Sequence, residues 1–114
     1  MKSEIIKPNK VNRFRHPFGI IYELSTSKNS SALNIARAKI KDDIRHYHKK
    51  ATEIYHMING VGTIELDDKE YRIAKGYTIV IKPLTRHRIK PDKGILDFFV
   101  ASSPPYNPKD EFYD

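Results

Sequence analysis

Apolar and polar positions along the chain form short runs broken by Pro, Gly, Asn and Asp. Ile, Val, Tyr and Phe alternate with charged residues over five to eight positions, and no stretch keeps a 3.6-residue apolar period over three turns. The pattern predicts strands over 18–24, 33–40, 44–48, 53–58, 62–66, 70–74, 78–81, 87–90 and 95–101. Turn signals separate them, among them Asn59–Gly60, Asp67–Asp68 and Lys75–Gly76. Short strands at about ten-residue spacing predict an all-β sandwich or barrel. Residues 1–17 read as a polar N-terminal arm, 18–101 as the barrel and 102–114 as a Pro-rich tail that adds no strand.

Composition narrows this picture. The chain has 114 residues, room for one domain of ordinary size. It holds no cysteine, which excludes disulfides, a thiolate nucleophile and Cys-ligated zinc. No apolar run is long enough to cross a membrane, and the first residues carry no apolar leader, so a cytoplasmic protein is expected. The net charge is +7, but Lys and Arg are scattered and interrupted by acids (Asp42, Asp43, Asp67, Asp68, Glu70). That is the pattern of a solvated surface rather than a nucleic-acid stripe, so neither nucleic acid nor membrane is an expected partner.

The histidines change the picture most. His46 and His48 are two apart on an expected strand, hence on one face, with Ile44 beside them. Glu53 follows across a short turn at the start of the next strand, where a hairpin can bring it beside the pair. His87 comes from a later strand. Three imidazoles and a carboxylate suit a divalent transition metal (Fe, Mn, Ni, Co, Cu or Zn) and leave coordination positions free for a ligand. His56 has the opposite parity to Glu53 and should face outward; His16 lies in the arm.

At these residues the chain resembles the cupin family, whose first motif is Gly-x5-His-x-His-x3/4-Glu-x6-Gly. His46, His48, Glu53 and Gly60 fall at their places, with Lys41 near that of the opening Gly. The second motif, Gly-x5-Pro-x-Gly-x2-His-x3-Asn, runs from Gly76 to His87 and Pro91. Lys82 replaces the first Pro, Leu84 the Gly and Pro91 the Asn, and Tyr77 stands where many cupins have Asp. The resemblance implies a double-stranded β-helix, a small jelly-roll barrel. It also implies that His46, His48, Glu53 and His87 bind the metal, and that two copies form a homodimer. Sheet edges needing cover and an arm long enough to reach a neighbour support that expectation.

Inward parity then places Tyr55, Met57, Ile64, Leu66, Tyr71, Ile73, Ile79, Ile81 and Ile89 on the barrel lining. Tyr55, two residues past Glu53, is the candidate catalytic acid or base; a nearby cation would favour its phenolate. The expected function is a metal-dependent enzyme (lyase, isomerase, decarboxylase or dioxygenase) on a small, for instance carboxylate-bearing, organic ligand. The alternative is a non-catalytic cupin that senses or stores a small ligand. Four intact ligands argue against a metal-free epimerase-like member.

Overall fold

The computed structural model describes residues 2–16 and 18–114; the side chain of His16 and both ends of the expected 1–17 arm, Met1 and Pro17, lie outside them. Among the described residues nine strands follow in order: β1 (Asn12–His16), β2 (Gly19–Glu23), β3 (Asn34–Ile40), β4 (Thr52–Asn59), β5 (Val61–Leu66), β6 (Lys69–Ala74), β7 (Thr78–Ile81), β8 (His87–Pro91) and β9 (Leu96–Ser103). They form two antiparallel sheets, ordered β1-β2-β3-β9-β4-β7 and β6-β5-β8. The two inner faces enclose one core. Ile64, Ile73 and Ile89 of the small sheet join Ala38, Ile40, Tyr55, Met57, Ile79, Ile81, Leu96 and Phe98 of the large one. This is the jelly roll expected from the sequence. No helix among the described residues is long and apolar enough to cross a membrane.

Two elements differ from the sequence expectation. β1 pairs with β2 from Asn12↔Glu23 to His16↔Gly19, inside the polar arm, where no strand was expected. As an edge strand with Phe14 half exposed, it buries no face that an apolar pattern could announce. Conversely, 44–48 is not a strand. Its β-type pairing is limited to isolated bridges, His46↔His87 and Tyr47↔Phe112. Asp43 explains why: Oδ1 accepts from the Ile44 N–H (2.8 Å) and Oδ2 from the Ile89 N–H (3.1 Å), so side-chain bonds replace the ladder there.

Two lining residues also differ. Ile44 is 48 % exposed, because period-two parity does not hold outside a regular strand. Tyr71 lies directly across from Ile64 and shares its face, yet is 47 % exposed, because β6 is the edge of the small sheet. The other expected lining residues are buried or packed against the core.

Candidate metal centre

The site is assembled by three local devices. The first is the His46 bridge to β8. His46 N–H donates to the His87 carbonyl (3.0 Å) and His87 N–H to the His46 carbonyl (2.8 Å), so the two residues stand directly opposite each other. The second is the turn between His48 and β4. The Asp110 carboxylate, from the segment after β9, accepts from the backbone N–H groups of Lys49 (3.0 Å), Lys50 (3.2 Å) and Ala51 (3.1 Å). That anion fixes the bend carrying the chain from His48 to Glu53, the first inward residue of β4. The third is the loop before β8. Leu84 N–H donates to the His48 carbonyl (2.7 Å), and Leu84 takes φ +72°, the left-handed conformation, at the position where the family motif has glycine.

These devices bring one ligand atom each from His46, His48, Glu53 and His87 within 4.8 Å of one another, all four residues being buried. His48 Nε2 is 3.1 Å and His87 Nε2 3.4 Å from Glu53 Oε1. The rings are held from behind. Nδ1 donates to the Ile44 carbonyl in His46 (2.7 Å), to the Asp110 carbonyl in His48 (2.9 Å) and to the Thr85 carbonyl in His87 (2.9 Å). A carbonyl can only accept, so each Nδ1 carries a proton and each ring turns its Nε2 toward the centre. His48 Nε2, His87 Nε2 and Glu53 Oε1 are buried with no hydrogen-bond partner among the described residues. Three unpaired acceptors that converge on one point cost free energy unless a cation or proton lies between them. The donor set and its backbone supports fit a divalent transition metal.

Without a metal, protons take that role. Burial alone would lower the His48 pKa, but the adjoining Glu53 carboxylate overrides it and raises the value to about 9. Burial likewise opposes ionisation of Glu53, and the His48 and His87 rings overcome it, holding the carboxyl at about 2.

Tyr55 lies on the same inner face of β4 as Glu53, its ring centroid 4.8 Å from Phe98 and 6.3 Å from His87. Burial, then the negative charge of Glu53, Asp43 and Glu111, pushes its phenol well above the usual value. His56 is exposed and bonds Thr78 Oγ1 (2.9 Å), away from the centre. Arg88 turns outward as well, donating to the Asp43 carbonyl (2.9 Å) and the Asp42 carboxylate (3.1 Å).

Sequence reasoning missed the role of the tail. Besides Asp110, it brings Glu111 Oε1 to 3.8 Å from His46 Nε2, and Tyr113 to 6.4 Å from the His46 ring. Acids gathered near the end of a basic chain were the available signal, but nothing in their spacing says where they fold back.

Residues 38–94 match the family model described as "Cupin domain". A 66-residue stretch is 36% identical to the protein MJ1618 of Methanocaldococcus jannaschii, covering 57% of this chain and 53% of that one; the match spans about half the relative's length. A solved protein from Planctomyces limnophilus is 27% identical with a TM-score of 0.84, covering 96% of each chain. The Streptomyces nucleoside dehydratase Pac13 is 15% identical with a TM-score of 0.83, covering 99% of this chain and 92% of its own, a likeness of fold.

Proposed function

The chain belongs to the cupin family, and within it we propose a metal-dependent enzyme acting on a small organic substrate at the His46, His48, Glu53 and His87 centre. The observation that carries this reading is the set of three buried, unpartnered donors facing one another while each imidazole is locked from behind. A divalent ion held there would supply Lewis acidity toward a carboxylate or carbonyl oxygen. The chain's part is to fix the donors: the three backbone carbonyls keep the rings from turning, and Asp110 keeps the His48–Glu53 bend from opening. Tyr55 is the proposed proton-transfer group. In the metal-free protein its raised pKa keeps the phenol protonated near neutral pH, the form of a general acid; a cation held at the centre would favour the phenolate, the form of a general base.

The test is turnover across a panel of small carboxylates and carbonyl compounds, with wild type and Tyr55→Phe. The variant should keep its metal and lose roughly 10²–10⁴-fold in rate. Turnover within a few-fold of wild type would return Tyr55 to a wall residue; no turnover on any compound by metal-loaded wild type would favour a ligand-binding role.

The homodimer is proposed on the outer face of the large sheet. There Ile35, Ala101, Ile54 and Val80 stand in register across β3, β9, β4 and β7, with both Ile and the Val exposed. Light scattering that finds a monomer at micromolar concentration would refute it.

A further inference from the structure

The four ligand side chains are buried, His87 completely, and so are the donor atoms His48 Nε2, His87 Nε2 and Glu53 Oε1. An ion or a substrate reaches them only if some covering element moves. Most of what surrounds the centre is tied firmly. β4 and β8 carry core residues on their inner faces. His46 is bridged to β8, and its segment is pinned by the Asp43 carboxylate. The loop before β8 is held through Leu84 on the His48 carbonyl and Thr85 on the His87 ring. Asp110 bonds three backbone N–H groups and, through its carbonyl, His48.

The next four residues are the exception. Residues 111–114 lie on the Nε2 side of His46: Glu111 Oε1 is 3.8 Å from that atom, and the Tyr113 ring is 6.4 Å from the His46 ring. None of the four is fully buried, and none belongs to the hydrophobic core. Their anchors are peripheral. Phe112 exchanges both backbone bonds with Tyr47 (3.0 Å each) and stacks on its ring at 5.5 Å, with the Lys49 ammonium 4.2 Å over the Phe112 ring. The Arg86 guanidinium lies 3.6 Å over Tyr47 and pairs with Asp114 at 3.0 Å. Glu111 Oε2 accepts from the Tyr106 hydroxyl at 3.1 Å. An isolated bridge, a ring stack and partly exposed polar pairs resist local opening far less than a sheet ladder over a packed core. A sharp step in anchoring therefore falls between Asp110 and Glu111.

We propose that residues 111–114 form a lid over the centre, hinged after Asp110, which swings away from Tyr47 to admit an ion and a substrate and then closes over them. The purpose of the lid rests on the metal-centre reading above; the motion itself is measurable without metal. Asp110 stays in place as the lid opens, so the His48–Glu53 bend keeps its shape. Opening breaks the Tyr47–Phe112 and Arg86–Asp114 pairs and returns their polar groups to water, which satisfies them in the open state.

Amide hydrogen exchange of the full-length, metal-stripped protein, followed by NMR, tests the hinge. The Tyr47 and Phe112 N–H groups should be protected at least about 100-fold less than those of His46 and His87, although both pairs are isolated bridges with bonds of similar length. Phe112→Ala removes the ring stack and should raise the open population roughly 10-fold. Asp114→Ala removes one partly exposed ion pair and should raise it about 2–5-fold. The rate at which stripped protein takes up cobalt(II) should rise by the same factors, with His56→Ala unchanged. Equal protection of the two bridges would mean that the lid opens only with the whole protein, which overturns the proposal. Faster exchange in the variants with unchanged cobalt uptake overturns it too. If wild type takes up no cobalt, the metal-centre reading fails, and the exchange pattern still upholds or overturns the hinge. Should Phe112→Ala not fold, Asp114→Ala carries the same comparison.

Discussion

His46 and His87 exchange both of their backbone hydrogen bonds, at 3.0 and 2.8 Å, although they lie 41 positions apart and His46 belongs to no strand. This one bridge sets two of the four donors side by side. The rest of the His46 segment follows side-chain bonds from Asp43 instead of a ladder. The centre is thus positioned by a small number of local contacts, each open to a separate test.

Asp110 is the first. Its carboxylate is the acceptor for three consecutive backbone N–H groups in the His48–Glu53 turn. One hydrogen bond to a charged acceptor contributes about 1.5–3 kcal/mol, and water that reaches this exposed turn offsets part of the three. Asp110→Ala should destabilise the protein by about 2 kcal/mol, lowering the melting temperature by about 8 °C, and should weaken metal binding by loosening His48. A melting curve that coincides with wild type would mean that water replaces the carboxylate at no cost.

Leu84 makes the opposite case. A side chain at φ +72° costs about 1–2 kcal/mol, and Leu84 is 54% exposed, so its packing does not offset this. Leu84→Gly should raise stability by about 0.5–1 kcal/mol, after allowing for the greater freedom of glycine in the unfolded chain. Denaturant midpoints measure the change. A loss of stability would show that the Leu84 side chain makes contacts that outweigh the backbone strain.

The ionic pair at the centre of the metal-free protein gives a pH signature. His48 rises from 6.5 to about 9 on folding, so its contribution is complete below pH 6.5 and is lost as pH climbs through 9. Glu53 falls from 4.5 to about 2, so its contribution is complete above pH 4.5 and is lost as pH falls through 2. Chelator-treated protein should therefore be more stable at pH 5.5 than at pH 9.5, and His48→Asn should flatten that difference. Metal reverses the sense, because His48 must shed its proton before it ligates. Calorimetry in buffers of different ionisation enthalpy should find about one proton released per ion bound at pH 7.5. No release at that pH would mean that His48 is neutral before metal arrives.

Much of this was legible in the sequence because period-two burial is a strong signal where a strand has one dry face. β4 shows it plainly: Glu53, Tyr55 and Met57 alternate with exposed Ile54 and His56. Glu53 shares that pattern; His46, His48 and His87 were legible by residue type and spacing, although the His46–His48 segment is not a strand. What was not legible depends on partners distant in sequence. β1 buries no face, Tyr71 depends on β6 being an edge, and Ile44 depends on Asp43 breaking the ladder. Asp110 and Glu111 reach the site from a tail whose path is set by Phe112 on Tyr47 and Asp114 on Arg86, contacts across more than 25 positions.

The central claim is that His46, His48, Glu53 and His87 form one metal centre, and metal content after purification without added metal tests it most directly. The measurement compares wild type with His87→Ala and His56→Ala, each folded and produced in the same growth medium. The account predicts one transition-metal ion per chain in wild type and in His56→Ala, and none retained in His87→Ala. No ion in folded wild type, or equal loss from both variants, would contradict it.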